Sequence, residues 1–279
     1  MKKDKKTEKS KVFYKLYVVN IVITIVFICL ISLLCSTFSS RLILNNFIAF
    51  NEDMIAEKVN VLDDRVKHLD ETVDLIIGDE STFKFLMTNE KDYEKPTAIL
   101  KIIRRFRNIC SSNSLVRGIC LVDLQRQIVI TENTKMTIEG NRYDRYQGQN
   151  SFVVTNDGEE RKLEFVKRFE PIRGKKVVYM ILTVDEEVFT SNLLVGKESE
   201  MLKSCLMTRQ GDVLTADGLD ECAPAVQTEL QGLEKGTEKF ETSGQKLVLY
   251  KNPSKVSDMS IAAYEDYTYL EGQTRELKQ

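Results

Sequence analysis

The feature that most restricts this chain is a long uncharged run near its N-terminus. From Leu16 to Ser40 the sequence has no charged residue, and Val18 to Leu34 is almost entirely valine, isoleucine, leucine and phenylalanine. A helix rises about 1.5 Å per residue, so about 20 apolar residues match a hydrocarbon core of about 30 Å. The run therefore predicts a transmembrane helix over residues 16–40.

The residues before this run predict its orientation. Seven lysines lie in residues 1–15, against only Asp4 and Glu8. The positive-inside tendency places such a segment in the cytoplasm, so everything after Arg41 is expected outside the cell membrane. A removed signal peptide is the closest alternative, but the run exceeds the usual apolar region of about 7–15 residues and no Ala-x-Ala site follows it. We expect a single-pass anchor in contact with the lipid bilayer.

The composition of the remaining chain is that of folded domains. The protein has 279 residues, of which 42% are hydrophobic and 29% charged, enough to form a core. Its net charge of −2 argues against a protein that coats nucleic acid. The length suggests two modest domains in addition to the anchor.

A long helix is predicted directly after the anchor, over residues 41–78. Between Phe47 and Ile77 the apolar residues recur at steps of three and four, acidic and basic residues fill the intervening positions, and Gly78 is expected to end the helix. This spacing suits a face packed on the helix's own domain. It also approximates a coiled-coil seam, so a homodimer through this stalk is a further expectation.

The hydrophobic period then changes from helical to extended. A second helical region covers residues 81–113, with Pro96 starting its second part, and residues 132–151 lack any period. Strands are predicted at 116–123, 128–131, 163–172, 176–185, 203–208, 213–215, 238–242, 246–251 and 257–264, with short helices at 188–194 and 225–230. The prediction is therefore an α+β protein with two successive modules, each a helix-backed antiparallel sheet.

This order of parts resembles the double Cache sensor domain of bacterial histidine kinases, chemoreceptors and membrane-bound AraC-type regulators. The matching runs are Gly118–Asp123, Val178–Asp185 and Leu206–Leu214, and the resemblance extends over residues 16–279. It implies two PAS-like modules. The expected division is a basic cytoplasmic tip (1–15), a transmembrane helix (16–40), a stalk helix (41–78), a membrane-distal Cache module (79–195), a membrane-proximal Cache module (196–265) and an exit helix (266–279).

The resemblance also implies where a ligand binds. In the amino-acid-binding branch of the family, Tyr, Arg, Trp and a later Asp hold the ligand in the distal module. The residues at the corresponding positions here are Arg142, Tyr143, Arg145, Tyr146 and Asp185. The chain has no tryptophan, so that motif is incomplete. An ordinary solvated loop at 142–146, and a helix cap at Asp185, are the alternatives.

The family usually continues into an output domain, which is expected to be absent here. The sequence stops after the expected exit helix, at Gln279. Two alternatives stay open: the chain is the sensory part of a longer receptor, or it acts by associating with another membrane protein.

The cysteines allow two interpretations. Cys110, Cys120, Cys205 and Cys222 would face the outside, where the local pairs Cys110–Cys120 and Cys205–Cys222 are possible disulfides. Separate buried thiols are the equal alternative. No pair has the Cys-x-x-Cys spacing of a zinc or redox motif.

No motif in the sequence predicts catalysis. The one histidine, His68, falls in the stalk, and there is no phosphate-binding Gly-rich loop, so we expect no enzyme activity, no cofactor and no metal. The function predicted is a membrane-anchored sensor that binds a small extracytoplasmic molecule, such as an amino acid or organic acid, and signals across the membrane. A cell-envelope scaffolding protein and an anchored hydrolase are the alternatives.

Overall fold

The computed structural model describes residues 4–87, 96–138, 143–157, 160–172, 176–194, 202–208, 213–217, 224–242 and 244–268. One compact unit covers Glu52–Glu265. The part of the first helix up to Asn51 belongs to a separate unit.

Helix α1 runs from Asp4 to Gly78 and ends where the sequence predicted. Its N-terminal part is long and apolar enough to cross a membrane. The large apolar side chains between Leu16 and Leu34 are exposed, as they must be if lipid is to solvate them.

The second part of α1 has a continuous buried stripe. Its members are spaced alternately four and three residues apart, which keeps them on one face of the helix: Ile55, Val59, Leu62, Val66, Leu69, Val73 and Ile76. This face is covered within the unit Glu52–Glu265. The heptad-like spacing over residues 55–76 is therefore explained by packing of the chain on itself.

The first module combines two helices with a six-stranded antiparallel sheet. Helices α2 (Glu80–Met87) and α3 (Pro96–Ser112) precede strands β1 (Val116–Asp123), β2 (Ile128–Thr131), β3 (Lys135–Thr137), β4 (Phe152–Asp157), β5 (Glu160–Ile172) and β6 (Lys176–Val184). The strand order is β3-β2-β1-β6-β5-β4. Helix α4 (Glu186–Thr190) follows β6.

The second module is a five-stranded antiparallel sheet with one short helix. It contains β7 (Lys203–Thr208), β8 (Val213–Asp217), α5 (Pro224–Gly232), β9 (Gly236–Thr242), β10 (Gln245–Pro253) and β11 (Met259–Asp266), in the order β8-β7-β11-β10-β9. Val226 and Leu230 of α5 pack on one face of this sheet. The predicted α+β fold with two antiparallel sheets is confirmed.

Polar side chains of α1 bind both modules. Asp63 is buried and accepts a hydrogen bond from Ser254 Oγ at 2.6 Å, just beyond β10. In the first module, Lys167 of β5 forms an ion pair with Asp70, and Asn113 Nδ2 donates to Thr72 Oγ1 at 3.1 Å. The helix is thus attached to each sheet by specific bonds as well as by its apolar stripe.

The sequence missed two strands, β3 and β4. Both lie at edges of the first sheet, where a strand needs a neighbour on one side only. The three-residue β3 is too short to show a period, and it falls within the segment predicted to lack one. Residues 173–175 and 209–212, which connect predicted strands, and most of the predicted exit helix after Asp266 lie outside the described residues.

The described cysteines of the two modules are thiols. Cys110 is on α3 and Cys120 is on β1, and no bridge joins them; Cys205 is a buried thiol in β7. Burial, with a smaller effect of Glu132, raises the pKa of Cys110 to about 11, which keeps it protonated at neutral pH. Cys222 lies outside the described residues. Of the two interpretations drawn from the sequence, the structure corresponds to separate packed thiols at these three positions.

The buried stripe can be tested with two leucines of the same helix. Leu69 is fully buried, whereas Leu75 is 62% exposed. We expect Leu69→Ala to lower the free energy of unfolding by about 3 kcal/mol, because it leaves a cavity, and Leu75→Ala by less than about 0.5 kcal/mol. Chemical denaturation of the full chain in detergent measures both, and equal effects would contradict the assigned faces.

Candidate functional site

A cavity of about 410 Å³ lies on one face of the first sheet. This is the face on which Val122, Val166 and Tyr179 pack against Tyr146 from the loop between β3 and β4. Side chains alternate along a strand, so the neighbouring residues of β1 and β5 point to the opposite face, where Lys167 pairs with α1. The sheet therefore has helices on one face and a loop-covered cavity on the other.

A buried hydrogen-bond cluster holds the loop against the sheet. The hydroxyl of Tyr146 donates to Glu164 Oε2 at 2.6 Å, and Thr155 Oγ1 donates to the same oxygen at 3.1 Å. All three side chains are buried. Burial, and then the hydrogen bond to Glu164, raise the pKa of Tyr146 above its ordinary value, so the phenol is a donor throughout the neutral range. These hydrogen bonds fix the position of Tyr146 and Glu164, which form part of the cavity wall.

The predicted loop residues lie at this cavity. Tyr143, Arg145 and Tyr146 all line it, and the Arg145 guanidinium carbon lies 5.0 Å from the centre of the Tyr146 ring. The rings of Tyr143 and Tyr146 are 6.1 Å apart between centroids. Arg145 is exposed, so its donors can meet a molecule that enters. Arg142 lies outside the described residues.

Asp185 takes a different position from the other predicted residues. Its carboxylate accepts from the backbone N–H of Val188 at 3.1 Å and so caps helix α4, and it accepts from Arg117 Nε at 2.7 Å. It is not among the lining residues, whereas its partner Arg117 is. The helix cap that the sequence offered as an alternative is thus present. Asp185 is connected to the cavity only by its bond to Arg117, which lines it.

The bonds to Asp185 determine its charge state. Desolvation by itself would raise the pKa of this carboxyl. The hydrogen bond from Arg117, those from the backbone N–H groups of Val188 and Glu187, and the charge of Arg117 outweigh it and lower the pKa below the ordinary value. Asp185 is therefore ionised at neutral pH.

The lining of the cavity is rich in charges of both signs. Four of its side chains are cationic and three are carboxylates: Arg117, Arg145, Arg161 and Lys162, with Glu132, Glu164 and Glu186. Arg161 and Glu186 lie 3.7 Å apart as an ion pair, and Glu132 Oε2 accepts from the backbone N–H of Ile119. Apolar wall comes from Met136 and Ile181. This mixture can bind a carboxylate, an ammonium group and an apolar side chain at once.

Several of these residues were missed in the sequence. Glu132, Glu164 and Arg117 are charged residues on or next to strands, and such residues usually face solvent. Glu164 alternates with the apolar Leu163 and Phe165, which is the pattern of a strand with one polar face. Only the loop that covers that face makes Glu164 buried, and the sequence does not show where the loop folds.

The edge of the cavity is connected to helix α1. Glu186 lines the cavity and begins α4, and Phe189 near the end of α4 is buried. The backbone carbonyl of Phe189 accepts a hydrogen bond from Arg65 Nη1 of α1. Burial lowers the pKa of Arg65, although not enough to remove its charge at neutral pH. Helix α4 is therefore held at one end by Asp185 and at the other by α1.

In the described part of the chain, no group of three or more His, Cys, Asp or Glu side chains is placed to hold a metal ion. His68 is exposed on α1.

Comparison with known proteins rests on structure. No family model and no curated protein matches the sequence. The sensory domain of the Campylobacter jejuni chemoreceptor Tlp3 with isoleucine bound matches with a TM-score of 0.59 at 11% identity, over 84% of this chain and 98% of that one. The same domain is also recorded with L-valine.

Two further solved structures match similarly. A domain of a Vibrio parahaemolyticus protein assigned to the sensory box/GGDEF family has a TM-score of 0.56 at 11% identity, over 82% of this chain and 99% of that one. The extracellular domain of vpHK1S-Z8, assigned as a histidine kinase, has a TM-score of 0.58 at 10% identity, over 83% and 98%.

This chain shares its fold with these sensory and extracellular domains. The resemblance predicted from the sequence is confirmed at the level of the fold. Within this fold, the first module of the chain has the loop-covered cavity.

The two roles of Asp185 can be separated by substitution. Asparagine can still cap α4, whereas alanine cannot, so Asp185→Ala should lower the free energy of unfolding by about 1 kcal/mol more than Asp185→Asn. The difference in free energy of unfolding between wild type and Asp185→Asn reports the contribution of the Asp185 charge. Because the folded-state pKa is lowered, this contribution is present above the ordinary aspartate pKa and is lost as the pH falls below it.

Melting temperatures at pH 7 and pH 3 measure this dependence. The exposed Asp64, whose side chain is 78% accessible, gives the control variant Asp64→Asn. A gap between wild type and Asp185→Asn that stays constant down to pH 3 would contradict the ion pair.

Proposed function

We propose that this protein is a membrane-anchored sensor that binds a small carboxylate-bearing molecule outside the cell membrane. The observation that carries the proposal is the cavity of about 410 Å³ in the first module, with guanidinium groups, tyrosine rings and carboxylates around it. A cavity in this module favours a sensor over the scaffolding alternative.

The chemistry of the lining indicates the class of ligand. A guanidinium binds a carboxylate through paired hydrogen bonds, and Arg145 is exposed at the cavity. Glu132 and Glu186 can accept hydrogen bonds from an ammonium group, while Met136 and Ile181 contact an apolar side chain. We infer an amino acid with an aliphatic side chain, or an organic acid of similar size. The isoleucine and valine complexes of the Tlp3 domain support this inference.

The membrane anchor follows from α1 and the charges before it. The exposed apolar side chains of residues 16–34 suit a lipid environment, and the lysines of residues 1–15 suit a cytoplasmic N-terminus. The first module is then proposed as membrane-distal and the second as membrane-proximal. A homodimer through α1 would use positions other than the stripe 55–76, since the chain itself covers that stripe.

Signalling is proposed to start at helix α4. A ligand that contacts Glu186 or Arg117 alters the ion pairs that fix the start of α4, and Arg65 connects its end to α1. A ligand shifts such an equilibrium only by its difference in affinity between the two arrangements. A small displacement of α1 would then pass along the same helix toward Tyr14.

Calorimetric titration of the full chain in detergent tests the site. We expect L-isoleucine, L-valine or an organic acid of similar size to bind, and Arg145→Ala to weaken that binding at least about tenfold, because a charge-assisted pair is lost. Arg168→Ala is the matched control, since Arg168 is an exposed arginine of β5 that does not line the cavity. Absence of binding by the whole panel, or equal effects of the two variants, would contradict the proposal.

Hydrogen exchange with L-isoleucine as the probe tests the route to α1. We expect added protection in residues 186–190 and in α1 around Arg65. Arg65→Met removes the donor to Phe189, so the change in α4 should persist while the change in α1 disappears. An unchanged response of α1 in that variant would show that coupling does not depend on this bond. Lys67→Met, an exposed position two residues along the helix, is the control.

A further inference from the structure

The second module has a cavity of its own, of about 550 Å³, near the C-terminal end of α5. Its lining includes Lys251 of β10 and Ser260 of β11, which are strands paired side by side. Nothing in the site of the first module involves these residues. Both side chains are buried, and each lacks one kind of partner: an anion for Lys251 and any hydrogen-bond partner for Ser260 Oγ.

Both side chains lie on the face of the sheet that α5 covers. Leu249 of β10 and Ala262 of β11 pack with Leu230 of α5 in one apolar cluster. Side chains two residues apart on a strand share a face, so Lys251, two residues after Leu249, and Ser260, two before Ala262, also lie on this face. They continue the covered surface past the end of the helix.

Lys251 is a buried cation, only 7% exposed. Its Nζ donates to the backbone carbonyls of Leu230 at 2.8 Å and Gln231 at 3.3 Å, which belong to the last turn of α5 and lack partners within the helix. An ammonium has three donors, so one is left over. Among the described residues no carboxylate forms an ion pair with Lys251.

The environment of Lys251 is unfavourable to its charge. Desolvation lowers the pKa of this lysine, and the smaller effect of Cys205 in the opposite direction does not offset it. A buried charge is ordinarily neutralised by a partner of opposite sign. A bound anion would supply that partner.

Ser260 is a buried hydroxyl, only 3% exposed. Its Oγ is shielded from solvent and has no hydrogen-bond partner in the described part of the protein. Buried hydroxyl groups nearly always have a partner, and a lone one destabilises the fold. A hydroxyl without a partner and a cation without an anionic partner line the same cavity, which indicates a missing acceptor group.

We propose that this cavity is a second ligand site, which binds the carboxylate of a small molecule through Lys251 Nζ and Ser260 Oγ. Asp258 and Glu234 also line the cavity, together with Lys235, so the lining has two acidic side chains beside its two lysines. These carboxylates disfavour a multiply charged anion such as phosphate and favour a monocarboxylate. The site is separate from the one proposed in the first module and does not depend on it.

Calorimetric titration of the full chain in detergent, at constant ionic strength, tests this site. The probes are sodium acetate, sodium L-lactate and inorganic phosphate. We expect at least one of the two carboxylates to bind, Ser260→Ala to weaken it about tenfold, and Lys251→Met to abolish it. Ser260→Ala removes a hydroxyl without a partner, so its unfolding midpoint should be unchanged or higher, which keeps the test decisive if Lys251→Met does not fold.

Two controls locate the binding. Lys246→Met changes an exposed lysine of the same strand on the opposite face and should leave the affinity unchanged. The same titrations in the Arg145→Ala background weaken any carboxylate binding at the first cavity, so binding that persists there and is weakened by Ser260→Ala belongs to the second module. Absence of heat with both carboxylates up to millimolar concentration, binding of phosphate in their place, or carboxylate binding that Ser260→Ala does not weaken would overturn the proposal.

Discussion

The burial of one face of helix α1 is the constraint on which the rest of the structure depends. Seven apolar residues from Ile55 to Ile76 are shielded from solvent within the unit Glu52–Glu265. Fully burying a side chain of this size contributes about 1.5–3 kcal/mol, so the stripe is a major part of the core. Asp63 accepts a hydrogen bond from Ser254 of the second module, and Thr72 accepts one from Asn113 near the first sheet, so the helix is bonded to both modules. A displacement of either sheet would therefore displace the same helix.

The faces of the two sheets are covered in the same way. Each sheet has an apolar face for α1 or the helices beside it, and a second face that a loop or a short helix covers only in part. The partial cover leaves a cavity in each module, next to Tyr146 in the first and next to the end of α5 in the second. Each cavity has a buried charged side chain in its lining: Glu164 accepts from Tyr146 and Thr155, and Lys251 donates to two carbonyls but has no ion-pair partner among the described residues. Such groups are costly to the fold, which is why they are expected to serve binding.

The sequence predicted the elements better than it predicted the sites. The sequence located the end of α1, the start of α3 and both ends of β1 to the residue, because Gly78, Pro96 and the alternation of Val116–Asp123 are local signals. Tyr143, Arg145 and Tyr146 came from a family resemblance and do lie at the cavity. Glu164, Lys251 and Ser260 could not be found, since their burial depends on a loop and a helix that are distant in sequence. The edge strand β3 was missed because three residues show no period.

The most direct test of the account is whether a ligand enters the first cavity. Ile181 lines that cavity, whereas Ile261 is buried in the second sheet and does not. In the full chain in micelles, labelled at isoleucine methyl groups, titration with L-valine is predicted to shift the Ile181 resonance and leave that of Ile261 in place. A spectrum in which the Ile181 resonance stays fixed at saturating concentrations of L-valine and of each organic acid of similar size would contradict the account.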